Sequence, residues 1–90
     1  MENNIFEGVI IAITNPEPFT STNGSSHIER TIVVETEEMY PQRAAIRVID
    51  SNAQMDFQIG QHVRCYLQFR ANQGSTGRWF NDLKAWRITL

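Results

Sequence analysis

Ninety residues make one domain, 1–90, and a chain this short buries only about 60–65% of the surface it exposes when unfolded. Hydrophobic residues are 41% of the chain, enough for one small core, and no apolar run of about 18 residues occurs, which excludes a membrane-spanning helix. Cys65 is the lone cysteine, so no internal disulfide forms; with a start, Met1-Glu2-Asn3-Asn4, unlike a signal peptide, the expected compartment is the cytoplasm.

The net charge of −2 does not announce a polyanion binder, but it is unevenly spread. Residues 1–42 carry seven Glu and one Arg (−6), whereas residues 43–90 carry six Arg and one Lys against three Asp (+4). A basic half can build a positive face on an acidic protein. An ordinary solvated surface with uneven charge is the competing reading.

The pattern along the chain is of short β-rich runs between turn residues, with no repeat and no sustained helical period. Strand one is predicted over Ile5 to Thr14, with Gly8 inside it marking a bulge or barrel corner. Asn15-Pro16-Glu17-Pro18 ends that run, because proline donates nothing to a ladder. A polar loop of about a dozen residues follows as far as His27. Strand two covers Ile28 to Thr36, and Glu37 to Gln42 form a turn in which Tyr40-Pro41 reads most simply as a rigid corner. Strand three is Arg43 to Ile49, with Ala44, Ile46 and Val48 inward and Arg43, Ala45 and Arg47 outward. Asp50-Ser51-Asn52 are helix-capping types, so Ala53 to Phe57 are predicted as a short helix with Met55 or Phe57 plugging the barrel. Strand four, His62 to Arg70, places Val63, Cys65, Leu67 and Phe69 in the core and His62, Arg64, Tyr66, Gln68 and Arg70 outside. Asn72 to Gly77 make a flexible loop, and Arg78 to Leu90 form strand five.

Five strands with a small helix between the third and fourth is the order of an all-β OB-fold barrel. That barrel binds oligonucleotides on strands two and three and with the one–two and four–five loops. Both loops here are polar and contain glycine.

The segment from Gly77 to Thr89 holds both tryptophans, Trp79 and Trp86, together with Phe80, Arg78, Lys84 and Arg87. Rings interleaved with cations suit a single nucleic-acid strand, the rings stacking on bases and the cations meeting phosphates. The same residues also suit a closing barrel strand. Trp79 shares parity with Leu83 and Ala85, while Phe80 shares it with Asp82, Lys84 and Trp86. Regular alternation therefore buries Trp79 and exposes Phe80, Lys84 and Trp86; a bulge near Asn81-Asp82 would reverse the first pair. Each ring is either core or interface packing or a stacking platform.

Two stretches also carry a family likeness. Glu35-Thr36-Glu37-Glu38-Met39-Tyr40-Pro41-Gln42 and Gly77-Arg78-Trp79-Phe80-Asn81-Asp82-Leu83-Lys84-Ala85-Trp86-Arg87-Ile88 resemble the signature of a family of short bacterial, Bacteroides-type proteins related to single-stranded DNA-binding proteins. The resemblance implies an OB-fold with single-strand binding, no enzyme and no cofactor; replication or repair is the process expected of such a binder. The chain stops at Leu90, without the acidic tail usual in bacterial single-strand binders, so a tail-borne recruitment role is not expected.

The expected site lies on the face of strands two, three and four with the two long loops. Arg43, Arg47, Arg64, Arg70, Arg78 and Lys84 are the candidate phosphate contacts, and Tyr66, Trp79, Phe80 and Trp86 the candidate stacking rings. Scattered surface cations are the plainer reading of the first set, and a subunit interface the alternative for Tyr66. The ligand is single-stranded DNA with little sequence preference, with RNA left open because stacking is indifferent to the sugar. A homo-oligomer, dimer or tetramer, is expected. Catalysis and metal binding find no support: His27 and His62 are the only histidines, and no ligand spacing, phosphate loop or cysteine pair occurs. The alternative function is an assembly module whose aromatic rows dock on protein.

Overall fold

The computed structural model describes residues 4–90; the reading of the Met1–Asn3 start lies outside them. Six strands form one sheet: β1 (Asn4–Ile13), β2 (Glu17–Thr20), β3 (Ser26–Glu35), β4 (Arg43–Ile49), β5 (His62–Gln73) and β6 (Trp79–Thr89). Their order is β1-β5-β6-β4-β3-β2, and a β1–β3 pairing closes it into a barrel. All contacts between neighbours are antiparallel except β4 with β6, which meet in parallel at the single pair Arg47↔Lys84.

β1 serves two neighbours because it bends. Its first half, Asn4 to Val9, pairs with Leu67 to His62, and its second half, Val9 to Ile13, pairs with Glu35 to Ile32. The register shifts between Ile10 and Ala12. Gly8 lies just before this corner, and a Cβ there would lie 2.1 Å from the Glu35 carbonyl oxygen. The predicted barrel corner is thus a close backbone approach that only glycine permits.

Alternation fills the interior. Ile10, Ile32, Val34, Ile46, Val48, Val63 and Cys65 are fully buried, and Ala53, Phe57, Leu67, Ala85 and Ile88 complete the core. Each large aliphatic group buried contributes about 1.5–3 kcal/mol relative to exposure. No polar or charged residue of those described is buried. Burial pushes the Cys65 thiol up to about 11, so it packs as a small hydrophobe.

Three sequence expectations change. The long polar loop contains a strand: Glu17 to Thr20 pair with Glu29 to Ser26, and Ser21 to Ser25 form the turn between them. Pro18 is tolerated because β2 lies at the sheet edge. The short helix does not form. Residues 50–57 are a series of turns whose backbone hydrogen bonds span different intervals, and Asp50 has φ 55°. Ala53 and Phe57 still plug the barrel end; Met55 packs beside them, half-buried. Finally, the loop expected from Asn72 to Gly77 is mostly strand and tight turn: β5 runs on to Gln73, and Gly74 donates to the Arg78 carbonyl at 2.8 Å. Gly77 takes φ +86°, a left-handed conformation that suits glycine.

Candidate nucleic-acid interface

β5 and β6 form a long ladder from Arg64↔Thr89 to Gln73↔Trp79. Among the described residues, β1 pairs with β5 only as far as Leu67, and the backbones of β4 and β6 pair only at Arg47↔Lys84. Among the described residues, 68–73 and 79–83 therefore form a two-stranded arm at the edge of the barrel. Phe69, expected in the core, is 58% exposed for this reason.

On the outer side of this ribbon, Arg64, Tyr66, Gln68, Arg70 and Asn72 lie opposite Thr89, Arg87, Lys84, Asp82 and Phe80. The register slips between Tyr66 and Leu67: Tyr66 faces Arg87 and Leu67 faces Ala85, leaving Trp86 as the extra residue of a bulge. Ala85 and Ile88 point inward, so Trp86 and Arg87 both point out. The bulge lies here, not at Asn81-Asp82. It builds a small cluster: the Trp86 ring lies 5.6 Å from that of Tyr66 at 55°, and the Arg87 guanidinium lies 5.3 Å over Tyr66. Trp86 remains 49% exposed. At the arm tip, Arg78 lies 5.4 Å over the ring of Phe80.

Arg30 of β3 donates to the Thr14 and Ala53 carbonyls, and charge divides the cations from β4 onward into two groups. Arg43 donates to Glu35 at 2.6 Å, Arg64 to Glu7 at 3.2 Å, and Arg47 to both Glu29 at 3.2 Å and Asp82 at 2.9 Å. Tyr66, then Glu7, hold the Arg64 pKa above its ordinary value. Arg70, Arg78, Lys84 and Arg87 make no ion pair among the described residues. All four belong to the ribbon or its turn. The surface becomes acidic at the start of β5, where Glu7 and Glu37 each lie 3.4 Å from His62.

The expected face of strands two, three and four is not continuous, because β6 separates β4 from β5. Of the outward positions of β3 and β4, Thr31, Val33, Glu35, Arg43, Ala45 and Arg47 carry no ring, the His27 ring at the start of β3 is stacked against Phe19 of β2, and Arg43 and Arg47 are met by glutamates. Of the residues singled out from the sequence, Arg47, Arg64, Tyr66, Arg70, Phe80, Lys84 and Trp86 share the outer surface of the ribbon and its β4 neighbour, with Arg78 at its tip. Arg43 starts β4, engaged by Glu35. Trp79 lies on the opposite side of the arm, in the row of Phe69 and Leu83. It is 64% exposed, not buried as alternation predicted, because the arm has no barrel interior beneath it. Arg87 was missed: it shares parity with Ala85, and only the bulge turns it outward.

Among the described residues no group of three or more His, Cys, Asp or Glu gathers as a metal site. Among the described residues no helix is long and apolar enough to cross a membrane.

Residues 5–89 match the family model described as a domain of unknown function, DUF3127. The chain belongs to that family. No curated protein matches it. Among solved structures, the DUF3127 chain is similar to the second OB-fold domain of replication protein A from Methanococcus maripaludis, with a TM-score of 0.74 at 10% sequence identity, over 99% of this chain and 83% of that one. At that identity the likeness establishes the fold, an OB-type barrel, here all-β with six strands and no helix among the described residues.

Proposed function

We propose that this protein binds single-stranded DNA without catalysis and with little sequence preference, in the cytoplasm and in the service of replication or repair. The observation that carries this reading is the outer surface of β5–β6. There Trp86, Tyr66 and Phe80 alternate with Arg70, Arg78, Lys84 and Arg87, four cations that no described carboxylate neutralises. Trp86 and Phe80 are exposed and Tyr66 is half-buried; such rings offer π-faces to unpaired bases, and unpaired cations offer charge to the phosphates between them. The OB-fold is a frequent oligonucleotide platform. The ligand would track the ribbon from the Tyr66–Trp86–Arg87 cluster to the Arg78–Phe80 tip. RNA would stack equally well.

The test is titration with oligo-dT, followed by fluorescence. Stacking on Trp86 quenches its emission at low salt; a folded protein that shows no quenching and no binding to labelled oligo-dT defeats the proposal.

The assembly reading has an observation of its own. The other side of the arm carries Phe69, Leu83 and Trp79 among Ala71, Gln73 and Asn81, with no charged residue. A second copy meeting this side would bury its rings without like-charge repulsion. A dimer in light scattering that is lost in Trp79→Ala supports this use, and it is compatible with DNA binding on the outer side.

A further inference from the structure

Where β4, β5 and β6 meet, Arg47, Gln68, Arg70, Asp82 and Lys84 line a hollow of about 60 Å³. By the same measure a water needs about 10–15 Å³, so the hollow has room for one small oxyanion. Three of its five lining groups are cations. Asp82 is the sole anion in that lining, and its carboxylate is taken by Arg47 Nη2 at 2.9 Å.

Arg47 is not well used in this arrangement. Its Nη1 goes to Glu29 and its Nη2 to Asp82, so neither carboxylate receives the two parallel bonds that a guanidinium fork is shaped to give. Its Nε is buried with no hydrogen-bond partner. Such a donor is removed from water and gains nothing in return. Arg70 and Lys84, on either side, have no ion pair among the described residues. The hollow thus holds more donors and more positive charge than its own carboxylate satisfies.

The geometry points to this hollow as the seat of one backbone phosphate, held in the free protein by the Asp82 carboxylate as an internal stand-in that the incoming phosphate displaces from Arg47. The inference rests on the single-strand reading and adds a position and a regulator to it. Asp82 weakens binding by competing for Arg47. It also keeps the guanidinium oriented while the site is empty, so that binding exchanges one anion for another. Because Asp82 and Arg70 are cross-strand partners on the arm, the displaced carboxylate stays beside a cation.

The experiment compares wild type, Asp82→Asn and Glu38→Gln, the last removing the same charge from the β3–β4 loop. Oligo-dT affinity is measured across a salt series, and the Arg47 Nε–H resonance is followed by NMR during titration with inorganic phosphate. Asp82→Asn is expected to bind oligo-dT about three- to tenfold more tightly, the range for removing one like charge near the surface. Its log K against log salt is expected to be steeper by about 0.7, as for one more neutralised phosphate. Glu38→Gln should move neither. The Arg47 Nε resonance should shift with phosphate, at lower concentration in Asp82→Asn. Weaker binding by a folded Asp82→Asn overturns the inference, because Asp82 then only positions Arg47. Oligo-dT binding with an unchanged slope and a silent Arg47 resonance also overturns it while leaving the single-strand reading intact. A responsive Arg47 without oligo-dT binding supports the anion seat and removes the single-strand reading; silence in both removes both.

Discussion

The two tryptophans provide an internally controlled test, because the ribbon places them on opposite sides. Trp86 lies with Tyr66 and Arg87 on the basic outer surface, and Trp79 lies with Phe69 and Leu83 behind it. Stacking of one base on an aromatic side chain is worth about 1–3 kcal/mol. At about 1.4 kcal/mol per tenfold, Trp86→Ala should weaken oligo-dT binding about 5- to 140-fold. Trp79→Ala, removing a ring of similar exposure on the uncharged side, should change affinity less than about twofold. Losing the tilted Tyr66–Trp86 pair costs the fold only about 0.5–1.5 kcal/mol, so Trp86→Ala should remain folded, as circular dichroism would check. Polarisation of a labelled oligo-dT gives the affinities. In Trp79→Phe, where Trp86 is the sole indole, all intrinsic quenching reports the outer surface. Equal losses for the two alanine variants, or a loss only in Trp79→Ala, would refute the assignment of the binding side.

Further expectations concern charge, packing and pH. If the four unpaired cations of the ribbon each meet one phosphate, log K should fall with log salt at a slope of about −3; a slope near zero in a salt series would show that the ribbon meets no backbone. Gly8→Ala forces a Cβ to within 2.1 Å of the Glu35 carbonyl oxygen, with backbone that cannot retreat, and should cost about 3 kcal/mol. For a domain this size that lowers Tm by about 12 °C or more, and a calorimetric Tm within about 3 °C of wild type would contradict the barrel-corner geometry. His27 Nδ1 lies 2.8 Å from Asp50 Oδ2 and, as donor, holds that carboxyl below its ordinary value against the opposing effect of desolvation, with the Ile28 backbone amide helping. Because the folded value is depressed, this contribution is complete above about pH 4 and disappears as pH falls through the folded value. Asp50→Asn should therefore flatten the acid limb of a stability–pH curve, and an unchanged limb in urea titrations would dissociate the pair from folding.

Most of the barrel is readable from alternation. β4 occupies the predicted span, and β1, β3, β5 and β6 lie within a few residues of theirs, because each has a buried row on one face. The errors arise where local chemistry is ambiguous. Pro16 and Pro18 look like breakers, yet an edge strand needs no donor from Pro18. Asp50 to Phe57 carry capping types, but Ala53 and Phe57 are pulled into the barrel end, and a chain of mixed turns delivers both without a helix. For the candidate site, outward parity correctly groups Arg64, Tyr66 and Arg70, whereas Trp79, Phe69 and Arg87 go astray. The first two depend on where the barrel stops and the arm begins, and the third on a bulge at Trp86; neither leaves a mark in residue type.

The parallel meeting of β4 and β6 has a mechanical consequence. Two strands whose backbones pair at one position close the ring like a clasp, and the Arg47–Asp82 bond runs across that clasp from β4 to β6. Anything that loosens or replaces this bond acts on the hoop itself, so occupancy of the surface and the breathing of the barrel are tied together. Amide exchange around Arg47 and Lys84 should be the first to register a bound polyanion.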